Sequence, residues 1–101
     1  MTIQPWGLAP FNVTDEDGTI RKIHVRGRDR WALECLIEAG ERGCTPICHP
    51  GPRWSGYVFN LRREHKLTVE TVTEQHEGPF AGHHARYKLR TAVRRDDGAP
   101  Q

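Results

Sequence analysis

The sequence has few cysteines and no long apolar run. Its three cysteines, an odd number, offer no paired disulfide framework, which favours a reducing compartment. No stretch approaches the roughly 18 consecutive apolar residues of a membrane-spanning helix, and residues 1–10 lack the basic start and apolar segment of a secretory signal. We therefore expect a cytoplasmic protein, and 101 residues suffice for one domain with a single small core.

The chain also lacks the residue constellations of an enzyme or a metal site. It has no glycine-rich phosphate motif and no nucleophile beside a partner at a recognisable spacing. His83 and His84 could serve as a general base, but adjacent side chains on a loop have no fixed common geometry. Cys44, Cys48 and His49 form a cluster without a second ligand pair, whereas zinc needs about four ligands. We expect no catalysis, cofactor or metal.

Charge is small in sum but uneven along the chain. The formal net charge is +2. Basic side chains are concentrated in residues 21–31, 51–66 and 79–91, and acidic ones in residues 1–20, 32–50 and 67–78. Basic segments that a fold brings to one face could bind a polyanion even in a nearly neutral protein. The alternative is that each segment is an ordinary solvated surface.

The two ends of the chain show no regular pattern. Residues 1–18 mix prolines, glycines and an acidic cluster without a period of 2 or 3.6 residues. We expect a partly ordered arm there, partly docked through Trp6 or Phe11. Residues 92–101 have little to bury and predict a mobile tail. The folded domain is thus predicted to span residues 19–91.

A strand and a buried helix follow the arm. Alternating apolar and polar residues around Ile23 predict a short strand. A helix is predicted over Arg28–Ala39, because this segment lacks glycine and proline and its apolar positions cover more than half of the circumference. We expect Asp29 as its N-cap, and Gly40 or Gly43 as its stop.

A proline-rich link leads into a second helix. Residues 44–52, CTPICHPGP, contain three prolines and leave room for one helical turn at most. A helix is predicted over Pro52–His65, where Trp54, Val58 and Leu61 form an apolar stripe at i, i+4 and i+7. Its far side carries Ser55, Gly56, Phe59, Asn60 and Arg63, flanked by Arg53 and Arg62.

The remaining segments predict a β-hairpin. KLTVETVTEQ is rich in β-branched residues, and ARYKLRT alternates strictly between apolar and basic residues. A loop with two glycines joins them. One face of the second strand carries Ala85, Tyr87 and Leu89, and the other Arg86, Lys88 and Arg90. The glutamates of the first strand, Glu70, Glu74 and Glu77, would repel phosphates if they shared the basic face.

This order of elements, and especially RWSGYVFNLRREHKLTVETV followed by HARYKL, resembles the winged helix-turn-helix domains of small phage- and prophage-encoded proteins. The resemblance covers roughly Arg28 to Leu89. It implies an α+β fold with a short N-terminal strand, two main helices, a shortened middle helix and a C-terminal β-hairpin wing. The chain departs from the family pattern at the middle helix, where the proline-rich link stands instead.

The resemblance implies double-stranded DNA as the partner, with Pro52–His65 as recognition helix in the major groove and Leu67–Arg90 as wing. The implied DNA contacts are Arg53, Ser55, Gly56, Asn60, Arg62 and Arg63 on the helix, and His83, His84, Arg86 and Lys88 on the wing. We expect a transcriptional regulator or architectural factor, and a homodimer stays open. The alternative is a winged-helix interaction module, or an inhibitor of a host protein complex, that binds protein through Tyr57 and Phe59.

Overall fold

The computed structural model describes residues 7–49, 53–76 and 82–96, and these residues form an α+β fold of two helices and five strands. The elements are β1 (Ala9–Thr14), β2 (Ile20–Val25), α1 (Gly27–Ala39), a 3-10 turn (Gly40–Arg42), α2 (Trp54–His65), β3 (Val69–His76), β4 (Gly82–Leu89) and β5 (Ala92–Arg95). The expected fold class is confirmed. Within these residues, neither helix has the length and apolarity needed to cross a membrane.

The N-terminal segment is the centre of a three-stranded antiparallel sheet with the order β2-β1-β5. Phe11 lies opposite Ile23 of β2 on one side and opposite Arg95 of β5 on the other. Ala9, Phe11 and Val13 are buried, so this short strand has one apolar face. The expectation of an arm is therefore wrong for β1, and that of a mobile tail is wrong for β5, because each supplies the other with a hydrogen-bonding partner.

Helix α1 begins before the predicted cap. Its N-cap is Arg26, and Gly27 takes a positive φ of 68° that turns the chain into the helix. The prediction of Asp29 as N-cap is wrong because the helix has already started there. Asp29 lies in the first turn, where its negative charge interacts favourably with the helix dipole. The helix stops at Gly40, as predicted, with a φ of 58°.

The proline-rich link holds one turn and one bridge to the hairpin. The N–H of His49 donates to the carbonyl of Thr45 at 2.9 Å, which agrees with the single turn expected here. Cys44 and Tyr87 exchange two backbone hydrogen bonds of 2.8 Å each. Gly43 has a φ of 72°, and a Cβ there would lie 2.5 Å from the Tyr87 carbonyl oxygen. Only glycine therefore allows the link to approach β4 so closely.

Helix α2 is anchored through its apolar stripe. Trp54, Val58 and Leu61 are buried as predicted, and Tyr57 joins them with 8% of its surface exposed. The Trp54 ring stacks on that of Tyr87 with 5.8 Å between centroids, and its indole N–H donates to the His49 carbonyl. The predicted first helical residue, Pro52, lies outside the described residues.

Strands β3 and β4 form the predicted antiparallel hairpin, hereafter the wing. Val69 lies opposite Leu89, and the ladder runs in register to His76 opposite Gly82. Tyr87 and Val69 are buried against the core, so the inner face is apolar as predicted. The opposite face of the wing is directed away from the core.

Candidate nucleic-acid interface

Helix α2 presents a polar surface on the side opposite its buried stripe. We call this the α2 outer face; it comprises Arg53, Ser55, Gly56, Phe59, Asn60 and Arg63. Four of these residues are exposed, while Gly56 and Asn60 are half-buried. All of these residues except Arg63 line an open groove with a volume of about 600 Å³, to which Tyr57 of α2 and Asp29 of α1 also contribute. An anchored helix with a polar free side is what major-groove insertion requires.

The positive charges of the two arginines on the α2 outer face are not paired with acidic side chains of the described residues. Within the described residues, neither Arg53 nor Arg63 takes part in an ion pair. The guanidinium carbon of Arg63 lies 5.8 Å from the centroid of the Phe59 ring, a cation–π arrangement that leaves the positive charge on the surface. Gly56 is not required by packing, since a Cβ there would meet only Arg53 atoms at 3.8 Å.

Asn60 is held by a residue distant in the sequence. Its Nδ2 donates to both carboxylate oxygens of Asp29, at 3.3 Å and 3.1 Å. Burial raises the pKa of Asp29, and the hydrogen bond from Asn60 works in the opposite direction. Asp29, expected only as a helix cap, is thus a member of the candidate site. No periodic signal links the two residues, because the contact joins separate helices.

Arg62, predicted as a DNA contact, is engaged within the protein. Its Nε donates to the Val69 carbonyl at 3.1 Å, and its second guanidinium nitrogen donates to the same carbonyl and to Thr71 Oγ1, the latter at 2.8 Å. These bonds join the end of α2 to the start of the wing. The structure thus places Arg62 beside β3, not with the α2 outer face.

The wing outer face carries both charge signs. We use this name for Glu70, Glu74, His84, Arg86, Lys88 and Arg90. Arg86 Nε lies 2.5 Å from a Glu74 oxygen, and His84 Nε2 lies 3.1 Å from the other. Hydrogen bonding from Arg86 lowers the pKa of Glu74, which keeps this carboxylate ionised.

Further contacts engage the arginines of that face. Arg90 contacts Glu70 and, at 3.1 Å, Glu41 beyond the end of α1, and Arg86 also donates to the Arg42 carbonyl at 2.9 Å. Lys88 lies opposite Glu70 in the ladder. The glutamates therefore do share the basic face. Of the remaining residues predicted on the wing, Glu77 and the side chain of His83 lie outside the described residues.

The cysteine cluster does not form a metal site in the described part of the chain, where no group of three or more His, Cys, Asp or Glu side chains could hold an ion. Burial raises the pKa of Cys44 to about 12, so this thiol stays protonated and unreactive at neutral pH. Cys48 is exposed.

Comparison with known proteins agrees with this architecture. A family model described as a winged helix domain matches residues 22–99, most of the chain. The match includes both helices and the wing, and it reaches past β5. No curated protein and no solved structure shows significant similarity.

Proposed function

The chain belongs to the winged helix domain family, and from this premise we propose that it binds double-stranded DNA with α2 in the major groove. Winged helix domains are in general associated with DNA binding. The observation that supports this function best is the α2 outer face, where two arginines without ion-pair partners among the described residues project from a helix whose other side is anchored. Uncompensated guanidinium groups attract phosphates and can bond guanine.

The roles divide between the two surfaces. On α2, Arg53 and Arg63 supply charge, Ser55 can donate or accept, and Gly56 leaves space for the DNA backbone. On the wing, Lys88 is available for phosphates, whereas Arg86 already contacts Glu74. We therefore assign the larger share of binding to α2. The finer role, a transcriptional regulator or architectural factor of phage type, rests on sequence resemblance, and the cytoplasmic location rests on the sequence composition. No catalytic role is assigned.

A second candidate function is protein binding, and Phe59 favours it. Its side chain is 54% exposed at the centre of the α2 outer face, and aromatic residues are enriched at protein interfaces. Tyr57, the other residue expected to bind a protein, packs against Trp31 and Trp54 and is only 8% exposed, so it offers little surface to a partner. The apolar surface that the α2 outer face offers to a protein is therefore small.

Fluorescence anisotropy with a labelled mixed-sequence duplex at two salt concentrations tests the proposal. We expect binding at low salt that weakens as salt rises, with log K falling by about 0.9 per log unit of salt for each phosphate neutralised. A labelled duplex that shows no binding at low salt would contradict DNA binding and leave Phe59-mediated protein binding as the better account.

A further inference from the structure

The first turn of α1 reaches the α2 outer face at one point. Asp29 of α1 and Asn60 of α2 are 31 positions apart in the sequence, and the Asn60 Nδ2 lies 3.1 Å and 3.3 Å from the two Asp29 carboxylate oxygens. Both residues line the same groove. The contact therefore brings a carboxylate into the surface that we assign to DNA.

This contact determines which way the Asn60 amide is turned. An ionised carboxylate only accepts hydrogen bonds, so the nitrogen of the amide must face it. The reverse orientation would place the Asn60 carbonyl oxygen against the negatively charged oxygens of Asp29. An exposed asparagine without such a partner can present either end of its amide. Asp29 removes that freedom.

The rest of the amide stays available. Within the described residues Oδ1 of Asn60 accepts no hydrogen bond. This oxygen is also not fully buried, so a ligand can reach it. Nδ2 retains a second hydrogen. An amide oxygen beside an amide N–H is the pair that matches N6 and N7 of adenine in the major groove.

The arrangement has a cost for general affinity. A carboxylate beside a DNA-binding surface repels phosphates whatever the base sequence. Glu64, exposed on α2, also acts electrostatically on Asp29 and repels phosphates in the same way. Among the described hydrogen bonds, Asn60 donates to Asp29 and not to Glu64, and this distinguishes the two acids.

We infer that Asp29 is a positioning residue for base recognition: it holds the Asn60 amide in the one orientation that reads an adenine. This inference rests on the proposed DNA binding. It assigns Asp29 opposite effects on two measurable quantities, since the carboxylate lowers affinity for every duplex and raises discrimination at one base pair.

The test compares the wild type with Asp29→Asn, Asn60→Ala and Glu64→Gln. A preferred duplex is first selected from a randomised pool, and each A·T pair is then replaced in turn by G·C. For the wild type we expect one A·T pair whose replacement weakens binding roughly tenfold or more. Asp29→Asn, whose new amide offers either a donor or an acceptor, should bind all duplexes more tightly and lose discrimination at that pair. Glu64→Gln should also bind all duplexes more tightly, but it should keep the discrimination at that pair.

The Asn60→Ala variant identifies which A·T pair Asn60 reads, because this variant should lose discrimination between A·T and G·C at that pair and at no other. Asp29→Ser serves as a second variant with the same expectation if Asp29→Asn fails to fold, because a hydroxyl can both donate and accept a hydrogen bond and so does not fix the orientation of the Asn60 amide. Retained discrimination in both Asp29 variants, or a wild type that binds DNA without preference at any A·T pair, overturns the inference and leaves DNA binding intact. A wild type that binds no duplex overturns the proposed function as well.

Discussion

The α2 outer face and the wing outer face both carry basic side chains, but among the described residues only the arginines of the wing outer face form ion pairs with acids. Arg86 and Arg90 contact Glu74 and Glu70, whereas Arg53 and Arg63 of α2 take part in no ion pair within the described residues. The sequence shows basic residues in both segments and does not distinguish them. What a surface offers to a polyanion thus depends on the pairing of its charges more than on their number.

The difference has a geometric cause. In an antiparallel hairpin, side chains on one face of neighbouring strands are directly or diagonally adjacent, so glutamates of β3 meet the basic residues of β4. Helix α2 lacks acidic residues in its first turn and through most of its length, and its one acid, Glu64, lies in the last turn. Exposed ion pairs contribute little to stability, so the main effect of pairing in the wing is to reduce its positive field.

The largest expected effect comes from detaching the wing at its anchor. Gly43→Ala should destabilise the fold by about 3 kcal/mol, because it combines a strained positive φ with a clash against the Tyr87 carbonyl. Chemical denaturation measures the decrease in stability, and faster labelling of the buried Cys44 thiol reports the opening. Gly18→Ala, with a φ of 88° but no atom within 4 Å, is the matched control for strain alone. Equal destabilisation in both variants would contradict a role for close packing.

Neutralising the α2 outer face should have the next largest effect. Arg53→Gln with Arg63→Gln is expected to weaken binding about tenfold or more at low salt, and to make the salt slope shallower by about 0.9 for each phosphate that the variant no longer neutralises. Anisotropy titrations measure both quantities. Arg94→Gln, at an exposed arginine on β5, is the control for losing a positive charge away from α2. A decrease in affinity no larger than that of the control would remove α2 from the interface.

Gly56→Ala separates folding from binding. Alanine should stabilise α2 by about 0.5 kcal/mol, since glycine is a poorer helix former and the added methyl meets only Arg53. The same methyl stands on the α2 outer face, so binding to duplex DNA should weaken a few-fold. Thermal melting and anisotropy are read on the same sample. Unchanged affinity would mean that DNA does not approach α2 closely at this position.

The smallest effects are expected on the wing, and they should have opposite signs. Glu74→Gln releases Arg86 and should tighten DNA binding by about twofold, while Arg86→Gln should weaken it by less than that. Because the pKa of Glu74 is lowered, this carboxylate is protonated, and its pairing lost, at a lower pH than for an ordinary glutamate. A large decrease in affinity for Arg86→Gln would show that the wing carries more of the binding than we assign to it.

The segments that can be located correctly from sequence have strong internal periods. The stripe of Trp54, Val58 and Leu61 identifies α2, and strict alternation around Tyr87 identifies β4. Strand β1 escapes prediction because Pro10 and a short length obscure its alternation, and because β5, one of its partners, lies near the other end of the chain. Local patterns do not report such pairings.

The candidate site is predictable in part for the same reason. The residues of the α2 outer face follow from the helical wheel once the buried stripe is known. The bonds of Arg62 to β3 and of Asp29 to Asn60 do not, because each joins two elements whose relative placement is set by the whole core. The pairing of Glu74 with Arg86 depends on the hairpin register, which the length of the loop leaves open.

The central claim, that α2 and not the wing is the main DNA-binding element, is tested most directly by an NMR titration of the wild-type protein with duplex DNA. Backbone amide signals are followed residue by residue. We predict that the largest changes occur between Arg53 and Arg63, with smaller ones near Lys88. Changes confined to the strands β3 and β4, with the α2 signals unmoved, would contradict this account.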